Sequence, residues 1–168
     1  EASFHRRYTD LDAFFAIVLE EIYNEFFERA TEAVAGQSGW RDRMRAIAYS
    51  LLRYLRADER VARLAAVEVQ YAGKRAQELF QETFSRLVGV IDEGSSEAGG
   101  PASPGLATAI GIGGVVFARI QEGAEKGEFK ELGEEEVPQL MYAAVFPYLG
   151  VEAAEEELHI PPPPDPSA

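Results

Sequence analysis

Apolar residues recur every three or four positions along this chain, and the runs between Gly and Pro breakers are long enough for helices. Leu11, Phe14, Phe15, Val18, Ile22, Phe26 and Ala30 predict a first helix from about Leu11 to Val34. Asp10 is its expected N-cap and Gly36 its stop. Trp40, Met44, Ile47, Ala48, Leu51, Leu52 and Leu55 form one stripe of a second helix, from about Gly39 to Ala57. Asp58 is placed to cap a third, from Glu59 to about Val69. A fourth, from about Gly73 to Asp92, buries Ala76, Leu79, Phe80, Thr83, Phe84, Leu87, Val88 and Ile91, and Gly94 stops it. Residues 94–105 are rich in Gly, Ser and Pro and predict a mobile loop. A fifth helix is expected from about Leu106 to Lys126 and a sixth from about Glu134 to Leu149. With no strand alternation and no hairpin signal, the fold class is all-α, a bundle of about six main helices. Pro161–Pro164 belong to an extended Pro-rich tail, expected to be disordered over 159–168.

The 168 residues suit one domain with a packed core, or one domain plus a fragment of another. No apolar run is long enough to span a bilayer. The absence of cysteine removes disulfides and thiolate chemistry, and it is compatible with the cytoplasm. The net charge of −13 is uneven. Residues 1–60 hold 9 basic and 11 acidic residues, whereas 61–168 hold 7 and 18. The C-terminal two-thirds would therefore repel phosphate backbones, so any nucleic-acid contact belongs to the N-terminal end.

Little in the chain points to catalysis. The two histidines, His5 and His159, lie at opposite ends, and no pair of Glu-x-x-His motifs marks a di-iron bundle. Metalloprotease, nucleophile-elbow and phosphate-loop motifs are absent. No catalytic residue, cofactor or metal is expected. Glu21, Glu25, Glu28 and Glu32 on the first helix read as a solvated face. Arg41, Arg43, Arg45, Arg53 and Arg56 read the same way, because Asp42, Asp58 and Glu59 dilute a basic patch.

The glycines of the fifth helix are more informative. Each mid-helix Gly costs about 1 kcal/mol relative to Ala. Gly111, Gly113 and Gly114 therefore imply close approach of another backbone, in the same subunit or in a second one. The sixth helix offers an apolar surface with small residues, including Met141, Ala144, Val145 and Tyr148. Two such helices from each of two subunits would make a four-helix interface. Tyr49, Tyr71, Phe80, Phe84 and Phe117 fall on inner faces and either fill the core or enclose an apolar cavity.

Residues 3–15, Ser-Phe-His-Arg-Arg-Tyr-Thr-Asp-Leu-Asp-Ala-Phe-Phe, resemble the junction of recognition and connecting helices in the tetracycline-repressor (TetR) family of bacterial regulators. Ser3 stands at the family's Thr position and Phe4 matches. His5 replaces a Tyr, Arg7 a His and Tyr8 a Phe, while Phe14 and Phe15 match in kind. Leu11 occupies the place of the usual Lys, which removes one expected phosphate contact. Met141–Gly150, ending Pro-Tyr-Leu-Gly, is similar to the family's final dimer helix.

That resemblance implies a ligand-responsive DNA-binding regulator, a repressor working as a homodimer on operator DNA. It also implies that about 40 residues of a helix-turn-helix head precede Glu1. Residues 1–10 would then be the remnant of the head and 11–158 the ligand-binding and dimerisation domain. Ser3, His5, Arg6, Arg7 and Tyr8 are expected at DNA. The pocket is expected at Tyr49, Leu52, Gln70, Tyr71, Phe80, Phe84 and Phe117, around a small, mainly apolar effector oriented by Gln70 and tyrosine hydroxyls. The interface is expected at Gly111, Gly113, Gly114, Met141, Ala144, Val145 and Tyr148. The alternative is a helical interaction domain with no small-molecule ligand, which a filled core would favour.

Overall fold

A computed structural model describes residues 2–98, 104–128 and 133–164, with side chains from Leu11 onward. The elements are α1 (Ala2–Ala33), α2 (Trp40–Ala57), α3 (Glu59–Ala66), a 3-10 turn (Glu68–Tyr71), α4 (Lys74–Asp92), α5 (Gly94–Ala98), α6 (Leu106–Lys126) and α7 (Glu136–Glu157). Six of these helices have eight residues or more, and the described residues form no strand. The fold is an all-α bundle of the expected size.

Helix α1 runs through Asp10, which is therefore no N-cap. Neither Gly nor Pro interrupts residues 2–33, so nothing in the sequence forces a break there. From Leu11 onward its buried positions are Ala16, Leu19, Ile22, Tyr23, Phe26 and Ala30. Leu11, Phe14 and Ile17 remain exposed, so the inward face is shorter than its periodicity implies. Helix α1 packs on α2, α3 and α4, and α6 closes the group by packing on α3 and α4. Gly113 permits the α4–α6 approach, since a Cβ there would lie 3.3 Å from Val88 and 3.4 Å from the Phe84 ring.

Helix α7 leans on α2 and α5. Trp40, fully buried, ties this end together. Its Nε1 donates to the Val90 carbonyl at 2.8 Å, its backbone N–H donates to Glu97, and its ring meets Tyr148 edge-on. A Cβ on Gly94 would overlap that indole at 2.6 Å. Gly94 thus does not end the chain's order, as the loop expectation had it; it starts the short helix α5 beneath Trp40. Residues 99–103 of that loop lie outside the described residues.

The α2 arginines are not a solvated face. Arg41 and Arg45 both donate to Glu157, a carboxylate only 1% exposed, at 2.6–2.9 Å. Arg43 pairs with Glu93 and Arg53 with Glu134. Helix α7 reaches Arg41 and Arg45 by extending beyond Leu149 with a kink at Gly150, whose φ of 84° and ψ of −179° suit glycine almost alone. The tail is held as well, with Arg53 donating to the Pro163 carbonyl at 2.8 Å.

Candidate ligand site

An apolar cavity of about 150 Å³ lies between α1, α2, α3, α4 and α6. Helix α1 contributes Ile22, Tyr23 and Phe26; α2 contributes Met44, Ile47, Ala48, Leu51, Tyr54 and Leu55. The far wall is Phe80, Thr83, Phe84, Leu87 and Ile91 of α4 with Gly113, Val116, Phe117 and Ile120 of α6. The lining carries no formally charged side chain. Its two tyrosine hydroxyls are engaged with the protein: Tyr23 donates to the Ala65 carbonyl at 3.1 Å, and Tyr54 reaches the Ile22 carbonyl and Glu25 at 3.3 Å. Burial pushes both phenols up, Tyr54 to about 12, with Glu25 adding to the effect. Both rings therefore stay neutral at ordinary pH.

Outside this cavity lies a more open cleft of about 460 Å³, lined by Val69, Gln70, Gln77, Phe80, Gln81, Phe84, Gly114, Phe117 and Gln121. Phe80, Phe84 and Phe117 belong to both spaces and form the wall between them. Phe80 stacks on Phe84 at 6.0 Å between centroids and leans on Phe117 at 4.8 Å.

Of the residues expected at a pocket, the structure brings Phe80, Phe84 and Phe117 together at the wall and Gln70 to the outer cleft. Three expectations need correction. Tyr49 is buried on another face of α2, under the Arg53 guanidinium at 5.6 Å, because it sits about 100° round the helix from Ala48. Leu52 is buried in the same core without lining the cavity. Tyr71 is 85% exposed, because the chain tightens into the 3-10 turn after Ala66 and buries Val69 instead. Gln70 spends one amide N–H on the Ala66 carbonyl rather than on the interior. The lining residues that sequence reasoning passed over altogether are Tyr23, Tyr54, Ala65, Ala66, Val116 and Ile120, whereas Met44 was read only as part of the α2 stripe; Tyr23 and Tyr54 each lie one turn from a named apolar position, which was the available signal.

The side chains of Ser3, His5, Arg6, Arg7 and Tyr8 lie outside the described residues; their backbone is part of α1. The expected interface positions are mostly corrected too. Gly113, Met141, Ala144, Val145 and Tyr148 are buried within the subunit, where the small and apolar residues serve intrachain packing. Gly111 and Gly114 have open space where a Cβ would stand. Exposed apolar residues lie instead at Leu106, Ile110 and Val115 on α6 and at Phe146 and Val151 on α7.

Among the described residues no group of three His, Asp or Glu side chains sits close enough to hold a metal ion. No described helix is long and apolar enough to cross a membrane. No family model, curated protein or solved structure matches the chain.

Proposed function

We propose that this chain is the effector-binding and dimerising body of a one-component transcriptional repressor of the TetR type, responsive to a small, neutral, mainly apolar molecule. The observation that carries the reading is the position of α1. Its middle, at Ile22, Tyr23 and Phe26, is a wall of the cavity. Its beginning carries residues 3–8, which resemble the end of a DNA-recognition helix, in the same uninterrupted helix. The 15 residues from Tyr8 to Tyr23 span about 22 Å. A tilt of about 5° at the cavity therefore displaces the DNA-proximal end by about 2 Å, if α1 moves as a rigid rod. A ligand that favours one tilt shifts DNA affinity by the difference in its affinity for the two arrangements.

Two further observations support the reading. Leu11, Phe14 and Ile17 leave an apolar surface on the part of α1 nearest the expected head. Ala107, Ile110, Gly111, Gly114, Val115 and Ala118 share helical spacing along α6 and carry no charge in a chain of net −13. A second copy can approach there without like-charge repulsion at the contact, in the isologous manner of a twofold dimer. The presence of a cavity among the aromatics weighs against the alternative of a ligand-free interaction domain.

Thermal melting against a panel of neutral apolar compounds tests the ligand half. A binder at one hundred times its Kd stabilises by about 2.7 kcal/mol, a rise of several degrees in Tm for a domain of this size. If no compound in a broad apolar panel raises Tm, the effector reading falls.

A further inference from the structure

The outer cleft is unusual in its polar groups. Gln70, Gln77, Gln81 and Gln121 line it, and no acidic or basic side chain does. Three of these amides have an orientation fixed by their partners. Gln70 donates to the Ala66 carbonyl at 3.1 Å, Gln77 to the Ala72 carbonyl at 3.2 Å and Gln121 to Glu125 at 2.9 Å. Each partner is an acceptor only, so the atom bound must be the amide nitrogen. Each amide is left with its carbonyl oxygen, two lone pairs, and one remaining N–H. Acceptor capacity at the cleft therefore exceeds donor capacity, without any formal charge.

Beneath the glutamines stand Phe80, Phe84 and Phe117, and beneath them the inner cavity. An apolar space of about 150 Å³ suits one benzene-sized ring. The cleft above is three times roomier but polar at its rim. The two compartments favour opposite ends of one molecule.

We propose that cleft and cavity together form a two-part site for a neutral aromatic molecule bearing a hydroxyl or amine. The ring lies against and past the phenylalanine wall, and the O–H or N–H donates to one of the amide carbonyls of Gln70, Gln77 and Gln121. This rests on the effector-cavity reading above and adds the ligand's chemical class. Anions are disfavoured because no cation lines either space and the chain is strongly acidic. Entry requires the wall to part at Phe80, Phe84 or Phe117, the aromatic side chains that line both volumes.

Calorimetric titration with three matched probes tests this: naphthol, which can donate; methoxynaphthalene, which can only accept; and naphthoate, which is anionic. The expected order is naphthol tighter than methoxynaphthalene by about five- to tenfold, the worth of one donated hydrogen bond, with naphthoate weakest. The Gln70→Met/Gln77→Met/Gln121→Met variant changes all three proposed acceptors at the cleft rim, outside the core. It should lose the naphthol preference and keep the affinity for methoxynaphthalene. Equal binding of the two neutral probes, preference for naphthoate, or a naphthol preference that survives in the variant would overturn the ligand class while leaving the cavity reading intact. If none of the three binds, the proposed ligand class fails, and the apolar melting panel decides the cavity reading separately.

Discussion

At the residue scale, the groups that matter most are a buried carboxylate and two buried phenols. Glu157 is held by Arg41 and Arg45, so the tip of α7 is tied to the start of α2 by charge-assisted hydrogen bonds. Glu157→Ala should leave two guanidinium groups short of a partner and destabilise the fold by about 3–5 kcal/mol, read by chemical denaturation. None of this was legible beforehand. Glu157 sits in a run of three glutamates with nothing to set it apart, and only the kink at Gly150 aims it inward. Tyr54 makes a second prediction. Its folded-state phenol is raised from the ordinary 10.0 to about 12, so between those values the native chain keeps a proton that the unfolded chain has lost. Tyr54's contribution to stability should be constant to about pH 9 and be lost as pH rises from 10 to 12. Tyr54→Phe should flatten that slope by up to one proton, measured as Tm against pH. An unchanged slope would mean that Tyr54 is not shielded in solution.

The elements themselves were the most readable level. Long apolar stripes separated by Gly and Pro located α1, α2, α4 and α6 to within a turn at most ends, because amphipathic periodicity reports directly on burial. The early start of α1 was hidden by Asp10, a good cap residue that here lies within a helix. The 3-10 turn, α5 and the extension of α7 escaped because each depends on a tertiary contact: Val69 in the core, Gly94 under Trp40, Glu157 on its arginines. The glycine-rich α6 was half legible. Close packing was implied, but which glycine faced which partner was not, and Gly113 proves to serve the α4 contact inside the subunit. The dimer prediction therefore moves to exposed positions. Ile110→Arg or Phe146→Arg should convert a dimer to a monomer in sedimentation without lowering helix content, since neither side chain belongs to the core. A protein that is monomeric before mutation, or that stays dimeric after both, rejects this interface.

At the scale of the whole molecule, the account joins one cavity to one lever. The bundle around the cavity includes α1, which on the proposed reading would carry the DNA-reading end, so that filling the cavity would move that end. Composition pointed the same way, with most of the negative charge placed in the part read as ligand-binding and dimerising. Because the chain has no cysteine, Leu11→Cys gives a single labelling site per subunit on the exposed side of α1. Pulsed electron-spin resonance on that spin-labelled variant, with and without saturating naphthol, is the most direct measurement. The account predicts a defined distance between the two subunits that shifts by about 1.5 Å or more when the cavity is filled, the displacement that a tilt of about 5° gives over the 12 residues from Tyr23 to Leu11. No intersubunit distance, or one unchanged at a ligand concentration shown to saturate the site, would contradict it.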